Sequence, residues 1–347
     1  MPAKGLVSIS LLCYNSMTYL PKTLAAIGQQ TYPYNELIII DNCSTDGTVD
    51  YLTQNHSSVQ LILNESNTGY CRGHNQGIQA SNGEFVLVLN PDVLITPTFI
   101  EKMVDAALQD SQIGIVSGKL VQIGGPFDIR ESQSSPIIDS TGLSGRPNGR
   151  FVDRGAGQID HGQYDEMAYV FGACGAATLL RRTMLEEIAF EGQYFDEDFF
   201  LGQEDADLSW RTQIAGWKAI YVPNSVAYHV RFIRPGSYAE LPRWQRIHSM
   251  KNRFMLRIKN MSVQQFLIQA LPMLSWDIVV LGYTLLRQPY ALQGLWCLAK
   301  LMPRNLRKRE FINRSRKVSD QYIRQWFSRK DVSMSTRIVD SRPCRKL

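Results

Sequence analysis

Residues 85–92 read FVLVLNPD, and this stretch decides the fold. Residues 85–89 are an unbroken apolar run rich in β-formers, closed by Asn90-Pro91. A run of that length predicts a strand buried on both faces in a parallel sheet; a buried helix segment is the other reading of the same periodicity. Pro91 has no backbone donor and would end the ladder. Asp92 would then sit just past the strand's carboxyl end, where open α/β sheets bind ligands. Taken alone, Asp92 is either a turn-capping residue or a carboxylate able to hold a divalent cation against a phosphate.

Working outward, the upstream chain alternates strand and helix signals. Residues 6–13 predict a first strand, and 19–30 a helix with Leu20, Leu24 and Ile27 on one face. ELIII at 36–40 is a second strand, followed by DNCSTDG, whose side chains favour turns and helix caps. A helix from 48 and a strand at 59–63 complete a pattern that predicts a parallel α/β layer. Residues 64–77, NESNTGYCRGHNQG, read as a glycine-bearing loop entering a helix that ends at Ala80. Gly69, Gly73 and Gly77 would allow close backbone approach, and Arg72 could reach a phosphate. The spacing is neither GxGxxG nor GxxxxGK[ST].

Downstream, 98–108 predicts a helix and 113–121 a strand. Residues 124–165, rich in Gly, Pro, Ser and Arg, predict an extended loop layer over the sheet, a length that is unusual without a function. A helix is expected over 181–188 and another over 204–215, with Gly216 as its C-cap. Residues 218–222 read as a terminal strand, which Pro223-Asn224-Ser225 turns toward 226–231.

The hydrophobic fraction of 44% and charged fraction of 20% exclude a disordered chain, and the net charge of +5 is concentrated toward the carboxyl end. Six cysteines without CxxC pairs point to reduced thiols and a cytoplasmic setting. The apolar stretch 6–13 is too short for a span and lacks a cleavage site, so it reads as a strand rather than a signal peptide. After residue 240 the alternation stops. Residues 244–255 and 263–270 predict helices; 271–286 is apolar but contains Pro272 and Asp277, and a basic run occupies 304–330. Two amphipathic helices with basic residues suit the surface of an anionic membrane; a span and an ordinary helical appendage are the alternatives. No nucleic-acid recognition motif accompanies the basic run, so no nucleic acid is expected.

Three further places could carry chemistry. Asp41, at the end of the second strand, is a helix-capping residue or an acceptor for a nucleobase. Asp205, beside Glu204 at a helix amino end, is a capping carboxylate or a general base. His229 is a structural histidine or a metal ligand.

These stretches resemble family 2 glycosyltransferases of the GT-A fold, in the rhamnosyltransferase-like branch. The resemblance is carried by VSISLLCYN (7–15), LIIIDNCSTDG (37–47), NTGYCRGHNQG (67–77), FVLVLNPD (85–92), FDEDFFLGQEDADLSWRTQIAGW (195–217) and YVPNSVAYH (221–229), in family order. It implies an α/β fold, a mostly parallel sheet flanked by helices, with residues 1–240 as the nucleotide-sugar-binding and catalytic domain. Residues 241–347 would be a helical, basic appendage like the membrane-associated tails of enzymes that use lipid-linked acceptors. The activity implied is inverting transfer of a sugar, L-rhamnose from dTDP-L-rhamnose, to a saccharide or lipid-linked saccharide acceptor at the cytoplasmic face of a membrane. A UDP-hexose or UDP-N-acetylhexosamine donor, or an inactive binding protein, is the alternative. The resemblance makes Asp205 the catalytic base and assigns donor binding to Asn15, Asp41, Arg72, Asn75, Asn90 and Asp92. Asp92 and His229 would hold Mg2+ or Mn2+, with Glu204, Gly172 and Cys174 on the acceptor side or supporting. Asn90 stands where the DxD-type motif begins with Asp, and Cys71 and His74 depart from the donor-loop pattern.

Overall fold

The first strand, β1 (Ala3–Cys13), is buried from Val7 onward. The computed structural model describes residues 2–125, 127, 136–231, 241–328 and 330–335. After β1 the chain runs through α1 (Leu20–Gly28), β2 (Asn35–Asp41), α2 (Thr48–Asn55), β3 (Gln60–Leu63), α3 (Gly69–Ala80) and β4 (Gly83–Leu89). β1 pairs in parallel with β2 on one side and β4 on the other, while β3 extends the sheet beyond β2. The chain therefore leaves β1 in one direction and returns on its opposite side, which opens a crevice at the carboxyl ends of β1, β2 and β4.

The donor-loop expectation needs correcting. Residues 69–80 are helical, so Arg72, Gly73, Asn75 and Gly77 lie on α3 rather than in a loop. Gly73 and Gly77 serve helix–sheet packing. A Cβ at Gly73 would fall 2.4 Å from Leu12 Cδ1, and one at Gly77 would fall 2.3 Å from Ser10 Oγ. The sequence pattern alone could not distinguish close approach to a strand from close approach to a ligand.

Next come β5 (Val93–Ile95), α4 (Phe99–Gln109), β6 (Ile113–Ile123), β7 (Ile137–Ser140), β8 (Leu143–Gly145) and β9 (Phe151–Asp153). They are followed by β10 (Ala168–Val170), β11 (Ala177–Arg181), α5 (Arg182–Ile188), α6 (Glu204–Ile214) and β12 (Lys218–Val230). In the sheet, β12 and β6 run parallel to the first four strands, and only β11, between β6 and β4, is reversed within that central set. The mostly parallel sheet flanked by helices is as expected. The turn expected at 223–225 is instead a register shift inside one long strand, where β12 slips against β6 between Val222 and Val226. The layer over 136–165 is partly regular: β7 pairs with β6, and β8 with β9.

The carboxyl-terminal region comprises α7 (Arg243–Asn260), α8 (Val263–Arg287), α9 (Gln293–Arg314) and α10 (Asp320–Arg324), then β13 (Met334–Ser335), which pairs with β10. α8 continues through Pro272, whose missing N–H falls on an exposed side of the helix. Its amphipathicity is inverted. Gln265, Gln269, Asp277 and Thr284 are buried against the body, while Leu267, Leu271, Ile278 and Leu286 are 68–82% exposed. The basic run also differs from a uniform cationic face: Lys308 is buried, bonded to Asp196 and Asp198, and Arg304 pairs with Asp198. Among the described residues, Cys13, Cys43, Cys71, Cys174 and Cys297 are free thiols.

Candidate active site

Two loops at the carboxyl ends of β1 and β2 are tied together around Ser44. The Ser44 hydroxyl donates to Asp41 Oδ2 at 2.5 Å and accepts from the Asn15 N–H at 2.8 Å. The Ser44 N–H donates to Asp41 Oδ1, and the Thr45 N–H to Asn15 Oδ1, each at 2.8 Å. Asp41 is thus a turn-forming carboxylate, buried at the carboxyl end of β2. Asn15 holds a left-handed φ of 50° and Cys43 one of 65°, so both loops store local strain beside the crevice.

Asn90 and Asp92 follow β4. Asp92 is brought to His229 by the pairing of β5 with β12, which sets Val93 opposite His229. His229 Nε2 lies 3.7 Å from Asp92 Oδ1, and that oxygen is buried with no hydrogen-bond partner among the described residues. Burial raises the Asp92 carboxyl above its ordinary range, against the opposing pull of His229. Behind His229, Nδ1 bonds Asp139 Oδ2 at 2.8 Å; Asp139 Oδ1 bonds Arg231 at 2.9 Å, and Arg231 also pairs with Asp153. A carboxylate behind an imidazole fixes the tautomer that leaves Nε2 free to ligate. The orphaned carboxylate oxygen and the facing imidazole nitrogen fit a divalent cation that completes its shell with a ligand's phosphate oxygens. Among the described residues no cluster of three or more such side chains could hold a metal unaided.

Across the layer, Glu204 and Asp205 open α6. The chain reaches them through Phe200 and Gln203, both at positive φ (65° and 71°), so the acidic pair is delivered from a strained turn. Phe200 O accepts the N–H groups of Tyr70 and Cys71, which clamps the turn onto α3. Gly69 is required at that contact: its φ is +81°, and a Cβ would meet the Phe200 ring at 2.6 Å. Asp205 Oδ1 accepts from the Ala206 N–H at 2.7 Å, and Oδ2 from the Gly175 N–H at 3.4 Å. Gly175 O in turn accepts the Tyr70 hydroxyl at 2.6 Å. Burial, then the charge of Asp153, pushes the Asp205 carboxyl up to about 6. Burial and the neighbouring Asp205 charge push Glu204 to about 8. A carboxyl poised near 6 suits a general base at neutral pH.

The other expected residues take distinct positions. Arg72 is exposed on α3. Asn75 is buried with its amide used internally: Nδ2 donates to Phe195 O and Glu197 Oε1, and Oδ1 accepts the Phe195 N–H. It braces the segment leading to Asp205. Gly172 is buried where a Cβ would fall 1.9 Å from Ser209 Oγ, so it sets the approach of α6 to the 168–172 segment. Cys174 feels Asp153, Asp139 and Asp205 together; burial first, then those charges, keeps it a neutral thiol. Sequence reading missed Asp139, Asp153, Arg231, Tyr70 and Gly175. The unusual length of the 124–165 layer was the available signal for the first two.

Residues 8–189 match the family described as glycosyl transferase family 2. The chain belongs to that family. This family 2 glycosyltransferase is 27% identical, over 62% of its length and 73% of the relative's, to N-acetylglucosaminyl-diphospho-decaprenol L-rhamnosyltransferase of Mycobacterium tuberculosis (strain ATCC 25618 / H37Rv). It is 23% identical to poly-beta-1,6-N-acetyl-D-glucosamine synthase of Staphylococcus epidermidis (strain ATCC 35984), over 80% of this chain and 64% of the synthase. Its fold is similar to that of GalNAc-T7, crystallised with UDP, GalNAc and Mn2+, at a TM-score of 0.55 and 15% identity. That match covers 73% of this chain, which spans about half (48%) of the length of GalNAc-T7.

Proposed function

We propose that this chain is an inverting glycosyltransferase that moves L-rhamnose from dTDP-L-rhamnose to a lipid-linked saccharide at the cytoplasmic face of a membrane. The observation that supports the reading is a chain of charged groups joining two centres: His229, beside Asp92, bonds Asp139, Arg231 bridges Asp139 to Asp153, and the Asp153 charge helps raise Asp205 to about 6.

Asn15 and Asp41 would receive the nucleoside in the crevice beside β1, with Asn90 and Arg72 at its edge. Asp92 and His229 would hold a divalent cation; when bound, it neutralises the diphosphate and eases its departure. Asp205 takes the proton of the acceptor hydroxyl as that oxygen attacks the anomeric carbon. The bond to the diphosphate breaks on the opposite face, and its electron pair leaves on the phosphate oxygen. One base and a stabilised leaving group suffice for this single displacement, unlike the two-carboxylate chemistry of glycoside hydrolysis. The inverted amphipathicity of α8 supports membrane contact, because its apolar side faces away from the protein. The M. tuberculosis relative supports both the sugar and the lipid-linked acceptor.

The test is a panel of dTDP- and UDP-sugars, with and without Mg2+ or Mn2+, assayed against lipid-linked saccharides, with products identified by mass and linkage. Rhamnosyl transfer is expected. Transfer only from UDP-N-acetylhexosamine would replace the donor, an outcome favoured by the match to the S. epidermidis synthase. No transfer from any donor would remove the enzyme reading.

A further inference from the structure

The β8–β9 hairpin has two ends with different surroundings. One end carries Asp153 into the candidate active site. The other turns through residues 146–150, where the Arg146 N–H donates to Arg150 O at 2.8 Å and the Gly149 N–H to Arg146 O at 2.9 Å. This turn stands on the carboxyl-terminal helices: a Cβ at Gly149 would lie 2.9 Å from Arg257 Cδ and 3.2 Å from Met273 Sδ. Between the turn and α8 lies an open cleft of about 460 Å3, walled by Arg146, Asn148, Ser275, Trp276 and Val279.

The charges around the cleft are not balanced. Asp277 serves both Arg253 and Arg257, at 2.8 Å each, and Asp331 serves Arg146 at 2.5 Å. The Arg150 guanidinium has no carboxylate partner among the described residues and lies over the Trp276 ring, 5.5 Å from its centroid. Among the described residues, Arg150 is the guanidinium of this group left without a carboxylate. Burial, then repulsion by Arg253 and Arg146, holds Arg150 below the ordinary arginine range, so an added anion would relieve the site. The Trp276 indole N–H is buried without an acceptor among the described residues, a second group seeking an anion or hydroxyl. Beside the cleft, α8 turns Leu271 and Ile278 outward.

We propose that this cleft binds the diphosphate of a lipid-linked acceptor, with Arg150 as its main anion contact and the isoprenoid chain laid along the outward face of α8. The proposal rests on the lipid-linked-acceptor reading above. A diphosphate diester is doubly anionic, and planar guanidinium is suited to phosphate oxygens. Arg150 immediately precedes β9, whose last residue is Asp153. The proposed anion contact and the residue whose charge helps raise Asp205 are thus carried by one short hairpin arm.

The experiment measures binding of farnesyl diphosphate to the full chain in detergent by calorimetry, with UDP binding and circular dichroism as controls. Arg150→Gln, which keeps hydrogen-bonding capacity without the charge, should weaken farnesyl diphosphate at least about tenfold and leave UDP unchanged; Arg150→Lys should fall between. Farnesol and inorganic diphosphate should each bind more weakly than the amphiphile that joins them. Equal affinity of Arg150→Gln and the parent chain would overturn the assignment. So would inorganic diphosphate binding as tightly as farnesyl diphosphate, or displacement of the probe by phosphatidylglycerol vesicles at matched concentration. A chain that binds farnesyl diphosphate through Arg150 yet transfers no sugar would keep the cleft and remove the transferase reading instead.

Discussion

Lys259 Nζ lies 2.9 Å from Asp207 Oδ1, and both side chains are closed to solvent. Lys259 belongs to α7, whereas Asp207 stands on α6, two residues after the candidate base. Lys259 also bonds Asp196, which Lys308 of α9 reaches from its other side. Asn260 Nδ2 donates to Asp207 Oδ1 at 2.8 Å, and Asn252 Nδ2 to the carbonyls of Phe199, Leu201 and Gly202. The carboxyl-terminal helices therefore hold the strained turn that delivers Glu204 and Asp205. They are part of the candidate site's scaffold, and α8 adds an outward apolar face.

Removing one cation from a buried ion network leaves its carboxylates under-compensated, even where Asp196 keeps Lys308 and Asp207 keeps Arg211 and Asn260. Lys259→Met should cost about 3 kcal/mol in urea unfolding, because Asp207 and Asp196 lose their shared cation. A loss under about 1 kcal/mol would show that the network does not secure α6.

The pH profile follows from Asp205. A general base works deprotonated, so kcat/KM should fall as pH drops through about 6. Asp153 contributes to the raised value, so Asp153→Asn should move this acid limb to lower pH. Because Glu204 titrates alongside, the limb belongs to the pair, and the direction of its movement is the readout. An unmoved limb, or one displaced upward, would separate Asp153 from the base.

Asp139 supports His229 without facing the crevice itself. Asp139→Asn should weaken Mn2+ about 10- to 100-fold, measured by electron paramagnetic resonance with a nucleoside diphosphate present. Unchanged Mn2+ affinity would leave Asp139 as a purely structural partner of Arg231.

α8 offers a test of the membrane reading that spares the fold. Leu271 and Leu286 are each 82% exposed, so Leu271→Asp with Leu286→Asp removes no packing in the protein. Co-sedimentation with anionic vesicles should fall at least about tenfold, given the apolar area involved, with unfolding unchanged. Full vesicle binding would assign the contact to another surface.

The fold was readable where the physics was local. β4 is buried on both faces and reads as a continuous apolar run, as do residues 37–40 of β2, whereas β1 interrupts its run with the buried Ser8 and Ser10. Asp92 and Asp205 stand out in the sequence because one follows β4 and the other opens α6, at element ends where α/β sheets carry ligand sites. α3 was misjudged because Gly73 and Gly77 look like loop residues, although their meaning lies in contact with Leu12 and Ser10 on another strand. Asp139, Asp153 and Arg231 were invisible for a similar reason. Their relation is made by β7, β9 and β12 converging from distant parts of the chain. The inverted face of α8 had a clue in Asp277, which interrupts an apolar stretch and proves to be the bonding side of the helix.

The most direct measurement compares Asp205→Asn with the parent chain for donor-nucleotide binding, sugar transfer and stability. Nucleotide affinity should stay within about twofold, while transfer should fall by at least about 10²-fold. Stability supplies the check on folding. A carboxyl raised in the folded state favours folding when protonated, and that contribution is lost as pH rises through about 6. Asp205→Asn should therefore be more stable than the parent at pH 8, by on the order of 1–3 kcal/mol, with the difference vanishing near pH 4. A folded Asp205→Asn chain that binds nucleotide and transfers sugar at the full parental rate would contradict the account.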